Sequence, residues 1–264
     1  GVLRERKDVL YGILNGVDYR VWNPETDRLI PANYSAGDLS GKETCKKELL
    51  KAFDLKLRPG SPLIGMVSRL DAQKGFDILL PALPGLMKLS AGLVILGGGS
   101  RKYEELLAGT NSLYPKKLSI RIGVDDALAH LIEAGSDMLL MPSRYEPCGL
   151  NQIYGLRYGA IPVVRATGGL DDTVRDWSEG QAATGFKFIE YSSKALIQKV
   201  REAVSVYKDK KAWERLINNA MKEHFSWDDS AIQYMEVYKK IKREKEEAAQ
   251  NLTIPALKTP IDRP

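Results

Sequence analysis

Short apolar runs alternate with segments of helical spacing along the first two thirds of the chain. The runs at 62–67, 93–96, 118–122, 138–141 and 161–164 are rich in Leu, Ile, Val and Met. Apolar runs of this length, bounded by turn residues, are typical of strands that helices cover on both faces. The pattern therefore predicts the α/β class, with a Rossmann-like parallel sheet flanked by helices.

A strand, a helix and a second strand follow one another between residues 136 and 173. Apolar residues at helical spacing place the helix at 149–158, so the two strands are joined by a crossover and run parallel. The turn at 142–148 carries Glu146 and two further polar side chains at the carboxyl end of a strand. Open parallel sheets bind ligands at that edge, so this turn is a candidate site.

Helical spacing also predicts helices at 40–53, 76–89, 102–107 and 127–134, and a succession of helices from 192 to 248. Ser40, followed by Glu43, is expected to cap the first of these helices. Asp125 is expected to cap the helix at 127–134, and Gly135 to end it. Ser226 is expected to open the last helix.

The composition is that of a folded globular protein. The chain has 264 residues, of which 44% are hydrophobic and 28% charged. This excludes disorder of the whole chain, and neither a membrane-spanning run nor a secretion signal stands out. Its abrupt start indicates a fragment of a longer protein. Two cysteines do not suggest a disulfide framework and favour a reducing compartment.

The net charge of +5 favours an anionic ligand, and the segment SRLDAQKG offers a place for one. Arg69 and Lys74 lie there, between a predicted strand and a predicted helix. A guanidinium group that binds two oxygens and an ammonium point charge beside a helix start would suit a diphosphate. Two solvated basic residues in a loop remain an alternative at this point.

Two motifs carry a resemblance to a known family. The run PSRYEPCGLNQIYGLRYGAIPVVRATGGLDDTV, together with SRLDAQKG, resembles bacterial glycogen synthases and plant starch synthases. These are retaining glycosyltransferases of the GT-B fold that move glucose from ADP-glucose to an α-1,4-glucan. The resemblance covers roughly residues 11–238 and only the second, donor-binding half of such an enzyme. It implies a linker from the missing acceptor domain at 1–35, a nucleotide-sugar domain at 36–245 and a tail at 246–264.

The resemblance assigns the chemistry to Glu146, Arg69 and Lys74. The two cations would hold the donor phosphates and stabilise the departing ADP. Glu146 would bind glucose hydroxyls and place negative charge near the oxocarbenium-like transition state. An ion pair between Glu146 and Arg144 is the alternative, because two residues that are two positions apart in an extended segment share a face. We expect the three catalytic residues to converge on one pocket.

Further residues are implied to bind the substrate. The main chain of the first turn after the catalytic glutamate would meet sugar and phosphate oxygens, as would a glycine turn after the next strand. Val124 would lie beside the base, where relatives often carry a tyrosine that could stack. Asn15 and Asp18 would border the cleft, although Asn15-Gly16 also fits a tight turn. The implied main-chain contacts come from Cys148, Gly149, Leu150 and Asn151, and from Thr167, Gly168 and Gly169.

No metal or other cofactor is expected, since basic residues would neutralise the diphosphate of ADP-glucose. The aspartate pairs at 125–126 and 171–172 fit helix starts better than a metal site. His130 is interpreted as a packing or surface residue. The implied partners are ADP-glucose, a glucan acceptor and the missing amino-terminal domain, in bacterial cytoplasm or plastid stroma, with neither nucleic acid nor membrane. A UDP-sugar transferase and a non-catalytic nucleotide- or glucan-binding module remain open.

Overall fold

A computed structural model describes residues 1–251 of the chain. The chain forms two compact units, which are described separately. The larger unit comprises residues 17–225. The smaller unit consists of residues 1–16 and the chain from Ser226 onward. The predicted domain boundaries at 35 and 245 do not coincide with this division.

Within the described residues, the larger unit contains a sheet of six parallel strands. The order is β3-β2-β1-β4-β5-β6, so the direction in which strands are added reverses between β1 and β4. The strands are β1 (Leu63–Val67), β2 (Gly92–Gly97), β3 (Leu118–Ile122), β4 (Met138–Met141), β5 (Ile161–Arg165) and β6 (Phe186–Phe188). The five predicted strands are confirmed. The short β6, with its Phe-Lys-Phe alternation, was missed.

Helices precede, separate and follow the strands. They are α1 (Val2–Glu5), α2 (Ser40–Ala52), α3 (Phe76–Leu86), α4 (Arg101–Asn111), α5 (Asp126–Gly135), α6 (Asn151–Tyr158), α7 (Gly169–Thr173), α8 (Ser193–Val206), α9 (Lys210–Lys222) and α10 (Trp227–Asn251). Short 3-10 helices span Lys7–Val9, Ala72–Lys74 and Trp177–Ala182. Among the described residues, no helix is both long and apolar enough to cross a membrane.

The sheet is buried on both faces, which explains its continuous apolar strands. In β2, Leu93 and Ile95 point into one hydrophobic core and Val94 and Leu96 into the other. Helices α3 and α8 pack together on the first side, and α2 and α5 on the second. Because successive side chains of a strand point to opposite faces, both sets need apolar residues. The predicted α/β class is confirmed.

One of the predicted helix signals is wrong. Ser40 does not cap α2: Leu39 occupies the cap position, and the Ser40 N–H donates to Asp38 Oδ1 at 3.0 Å. Gly135 is the last residue of α5, as predicted, and the extended Ser136 follows it. A Cβ at Gly135 would lie 2.8 Å from the Cys45 carbonyl oxygen, so the glycine allows α2 to approach. The Asp125 cap is confirmed, since its carboxylate accepts the Leu128 N–H.

In the smaller unit, residues 10–16 run along α10 without forming a tight turn. A Cβ at Gly16 would lie 2.2 Å from the Trp227 backbone nitrogen, so this glycine is needed for close contact. The Ser230 hydroxyl donates to the Leu14 carbonyl oxygen at 2.8 Å. The tight-turn alternative for Asn15-Gly16 is therefore wrong. Ser226 does open α10, which continues to Asn251, and the rest of the predicted tail lies outside the described residues.

Candidate active site at the carboxyl ends of the strands

A cavity of about 200 Å³ opens where β1 and β4 end, next to the reversal in strand order. It is lined by Met66, Val67, Ser68, Arg69, Lys74, Leu140, Met141, Ser143, Gly149, Leu150 and Asn151. This is the edge at which doubly wound sheets bind ligands, because loops diverge there from neighbouring parallel strands. The predicted location of the site is the one that the fold provides.

Lys74 and Glu146 form an ion pair at this cavity. The distance from Lys74 Nζ to Glu146 Oε2 is 2.6 Å, and the two side chains are only 19% and 7% exposed. The Ser143 hydroxyl donates to the same carboxylate oxygen at 3.2 Å. The ion pair thus joins two residues that are far apart in sequence. Both side chains are largely shielded from water, so the electrostatic attraction between them is stronger than it would be in solvent.

Local structure holds Lys74 in position. It ends the 3-10 helix Ala72–Lys74, whose cap, Asp71, accepts the Lys74 N–H with its carboxylate at 3.1 Å. Gly75 then adopts a left-handed conformation with φ of 82°, and a Cβ there would lie 2.1 Å from the Pro142 carbonyl oxygen. A glycine is required for both reasons. The lysine loop therefore packs directly against the strand that leads to Glu146.

Arg144 does not pair with Glu146, so that alternative is wrong. Its guanidinium donates to Asp77 Oδ2 at 2.6 Å and lies over the Tyr191 ring, 5.0 Å from the centroid. Burial by itself would raise the pKa of Asp77, but hydrogen bonds from Tyr191 and Arg144 bring that pKa below its ordinary value. Arg144 thus anchors the start of α3, and Glu146 remains with Lys74.

Arg69 occupies the rim of the cavity. Its side chain is 67% exposed, and its guanidinium lies 3.3 Å from Asp71 Oδ2 and donates to Gln73 Oε1 at 3.0 Å. The expected convergence on one pocket is therefore observed for Arg69 and Lys74, which both line the cavity. Glu146 is not among the lining residues and is connected to the cavity through its ion pair with Lys74. A planar guanidinium group already bound by neighbours in its own loop stays in contact with water.

The loop before α6 leaves backbone donors available. Gly149 has a left-handed φ of 74°, and Leu150 is the cap, so the helix begins at Asn151 and not at the predicted Gly149. Within residues 1–251, the N–H groups of Cys148, Gly149 and Leu150 donate to no protein acceptor. The Asn151 amide side chain is already bound to the Val67 carbonyl oxygen at 2.5 Å. These residues can therefore offer a ligand main-chain donors, as predicted.

The glycine turn after β5 supports the glutamate loop from behind. A Cβ at Gly168 would lie 2.1 Å from the Glu146 carbonyl oxygen, and one at Gly169 would lie 2.0 Å from that of Cys148. The Gly169 N–H donates to the Glu146 carbonyl oxygen at 3.0 Å. This amide is thus used within the protein. Thr167, Gly168 and Gly169 are not among the residues that line the cavity.

The remaining predicted residues lie elsewhere. Val124 is 98% exposed and lines an adjoining cavity of about 270 Å³ that shares Arg69 and Asn151 with the first. Asn15 is exposed and belongs to the smaller unit. Asp18, in the larger unit, pairs with Arg20 at 2.8 Å. That pairing lowers the pKa of Asp18 to about 2.

Sequence reasoning missed Ser143 and the cluster around His130. Ser143 is a small buried residue in the signature turn, and its position three before the glutamate was the available signal. His130 packs face to face on Trp22 with 3.8 Å between ring centroids, and its Nδ1 lies 2.7 Å from Asp27 Oδ2. The packing interpretation of His130 is confirmed, but no sequence pattern indicated its partners.

The family model for glycosyl transferases group 1 matches residues 49–223. The chain is 51% identical over 244 residues to a glycogen synthase of Koribacter versatilis, covering 92% of this chain and 50% of that protein. It is 45% identical to soluble starch synthase 1 of Solanum tuberosum, covering 90% and 38% respectively. The chain thus spans about half the length of the glycogen synthase and less of the starch synthase.

A solved structure is also similar. It is the catalytic domain of starch synthase IV from Arabidopsis thaliana bound to ADP and acarbose, with a TM-score of 0.86 and 35% identity. The match covers 90% of this chain and 50% of that one. A sucrose-phosphate synthase from Thermosynechococcus elongatus, 19% identical with a TM-score of 0.59, is similar in fold.

Proposed function

Because this chain belongs to the glycosyl transferases group 1 family, we propose that it is the donor-binding half of a glycogen or starch synthase. The observation that carries the proposal is the Lys74–Glu146 ion pair, whose lysine lines a cavity at the strand ends, beside backbone N–H groups that donate to no acceptor among residues 1–251. The relatives named glycogen synthase and starch synthase support the reaction class. The ADP and acarbose in the similar structure support a nucleotide donor and a glucan acceptor.

In the proposed reaction, the 4-hydroxyl at the end of a glucan attacks the anomeric carbon of ADP-glucose. The bond from that carbon to the phosphate oxygen breaks, the hydroxyl proton passes to the departing diphosphate, configuration is retained, and ADP leaves. Lys74 and Arg69, with the N–H groups of residues 148–150, take up the negative charge that develops on the diphosphate. These groups, rather than a metal ion, are proposed to neutralise it.

Glu146 has a separate part in this scheme. Its carboxylate is 7% exposed on the side chain and is fixed by Lys74 and Ser143 at the cavity. A fixed negative charge beside the sugar stabilises positive charge on the anomeric carbon, and it costs no reorganisation during the reaction. When the donor phosphates approach, the Lys74 ammonium group can bind them while still contacting the carboxylate, because an ammonium has three donors.

The acceptor-binding half is proposed as the partner of this chain. Helix α10 exposes large apolar side chains that include Ile232 (60%), Met235 (53%), Tyr238 (61%) and Ile241 (52%). A row of exposed apolar residues on one helix indicates an interaction surface. The two free cysteines, Cys45 and Cys148, fit a reducing compartment such as bacterial cytoplasm or plastid stroma.

Calorimetry with ADP tests the assignment. Lys74→Ala should weaken ADP binding by about 10- to 100-fold, since a partly buried charge-assisted contact is lost. Arg101→Ala is the control: Arg101 is 90% exposed, and its only ion pair among residues 1–251 is with its neighbour Glu105. It should not change the affinity. ADP affinity that is unchanged in both Lys74→Ala and Arg69→Ala would refute the proposed donor site.

A UDP-sugar donor is the second candidate, and Val124 favours it. This side chain lines the adjoining cavity and is 98% exposed, so it offers no aromatic ring to stack on adenine. Competition between ADP and UDP distinguishes the two. Tighter binding of UDP would replace the ADP-glucose assignment and leave the phosphate contacts as proposed.

A further inference from the structure

A second cavity lies at the amino ends of the strands, at the end of the sheet opposite to the donor-site cavity. It has a volume of about 470 Å³ and is formed by the segments that lead into β1, β2 and β3. Its lining consists of Lys56, Leu57, Arg58, Ser61, Lys88, Ser90, Ala91, Pro115, Lys116 and Lys117. Half of these residues are cationic and none is acidic. The donor-site cavity, by contrast, is about 200 Å³.

Four of the five cations form no ion pair with the part of the chain that the structure describes. Lys117 donates to the carbonyl oxygens of Met87 and Leu89, at 3.0 and 3.1 Å, and so holds the wall of the cavity together. The other cations, Lys56, Arg58, Lys88 and Lys116, have no carboxylate within 4.0 Å among residues 1–251. Elsewhere in the larger unit, Lys46, Lys74, Arg144, Arg175 and Lys187 all lie against carboxylates.

One of these cations has an unfavourable backbone conformation. Lys116 has a φ of 70°, in the left-handed region that favours glycine. Its carbonyl oxygen accepts the Lys56 N–H at 3.4 Å, which joins two of the three segments. Like charges that are gathered around a concave surface repel one another and focus a positive potential into it. An anion bound there would relieve that repulsion.

We propose that this cavity binds a small phosphate ester. Lysine and arginine side chains recognise phosphate oxygens, the serine hydroxyls of Ser61 and Ser90 can bind further oxygens, and Leu57 and Ala91 supply an apolar floor. A volume of about 470 Å³ holds more than inorganic phosphate and suits a phosphorylated sugar. Strand β1 runs from this cavity to the donor-site cavity, so one strand connects the two sites.

Methyl NMR can observe the two cavities separately. The methyl groups of Leu57 and Ala91 report on the basic cavity, and those of Met66 and Met141 on the donor-site cavity. Titration with pyrophosphate and with ribose 5-phosphate should shift the Leu57 and Ala91 signals in a saturable manner, and uncharged ribose should not. Lys74→Gln should leave those shifts intact, which separates this site from the proposed donor site.

Two double variants with the same change in net charge complete the test. Arg58→Gln/Lys88→Gln removes two cations from the cavity lining, and we expect at least about tenfold weaker binding. Lys208→Gln/Lys211→Gln removes two exposed cations from outside the lining and should have no effect. Equal losses in both double variants, or no movement of the Leu57 and Ala91 signals, would overturn the proposal.

Discussion

Two groups of buried charges in the larger unit differ in their access to solvent. Lys74 lines an open cavity and forms an ion pair with Glu146. Asp27, Lys42, His130 and Glu133 lie in the interior and are 5%, 7%, 1% and 1% exposed. Both groups combine cations with carboxylates, and Lys74 of the first group lines space that a substrate could fill.

The four interior residues, Asp27, Lys42, His130 and Glu133, are called the closed cluster below. They connect the segment before α2 to the helices of the sheet domain. Asp27 Oδ2 accepts the Tyr158 hydroxyl at 2.6 Å and lies 2.7 Å from His130 Nδ1. Lys42 Nζ donates to the carbonyl oxygens of Ala134 and Tyr158, at 3.0 and 2.9 Å. Burial shifts the pKa of Lys42 down to about 8 and that of Glu133 well above its ordinary range. Strongly shifted pKa values therefore mark the structural cluster here, and an accessible ion pair marks the candidate site.

The largest effect is expected at Glu146. In a full-length protein that contains this chain, Glu146→Gln should lower glucosyl transfer by about 10²- to 10³-fold, because it removes a preorganised charge beside the transition state. Affinity for ADP should stay within a factor of about three, since the proposed phosphate contacts remain. Initial rates with ADP-glucose and a glucan measure the first quantity, and calorimetry the second.

Glu190→Gln is the matched control for that experiment. Glu190 is exposed and forms no ion pair within the part of the chain that the structure describes. Both variants should unfold at the same temperature as the unmodified protein within a few degrees. If Glu146→Gln kept full activity, the carboxylate would have only a structural role.

A substitution in the closed cluster should lower stability and leave ligand binding unchanged, in contrast to Glu146→Gln. Asp27→Asn leaves the Tyr158 hydroxyl or the His130 Nδ1 poorly matched, so the free energy of unfolding should fall by about 2–3 kcal/mol. Urea denaturation measures this loss, while ADP affinity of the folded protein should not change. Asp18→Asn, at a carboxylate that is 38% exposed and whose contact with Arg20 solvent screens, should lower stability less than Asp27→Asn does. A loss of donor affinity in Asp27→Asn at unchanged stability would reverse the assigned roles.

The sequence predicted the strands because the five runs are continuous and apolar, a pattern that few other structures produce. The resemblance to a known family predicted that Lys74 and Glu146 lie together, in agreement with their positions after strands of one parallel sheet. The sequence could not predict that Arg144 turns to Asp77, because that contact depends on how the start of α3 packs. Nor could it show Arg69 at the rim, since Asp71 and Gln73 bind its guanidinium within the same loop.

The buried Lys42 should give stability a specific pH dependence. Burial lowers its pKa from 10.5 to about 8, against the opposing charges of Asp137, Cys45 and Glu133 and with the repulsion of Lys46. Between pH 8 and 10 the unfolded chain therefore holds more protons at this lysine than the folded chain does. Stability from this group should rise with pH across that window, by up to about 1.4 kcal/mol per pH unit.

Lys42→Met isolates that contribution, since it keeps the length of the side chain without the charge. The stability of the unmodified protein minus that of the variant, from urea denaturation at pH 7, 8, 9 and 10, should increase with pH above 8. Below pH 8 the difference should be constant, because the lysine is charged in both states. A flat difference throughout would show that the Lys42 pKa is not lowered by burial.

The smallest effect on ADP binding is expected at Arg69, and it distinguishes the role of Arg69 from that of Lys74. Arg69→Lys retains the charge but loses the planar fork, and its side chain is 67% exposed, where solvent screens the charge. We expect ADP to bind about two- to fivefold more weakly, a smaller loss than for Lys74→Ala, and with the same dependence on salt in both proteins, because the charge is retained. Calorimetry at two salt concentrations measures both quantities. A larger loss at Arg69 than at Lys74 would mean that Arg69 turns inward onto the diphosphate, and the rim would then be the principal phosphate contact.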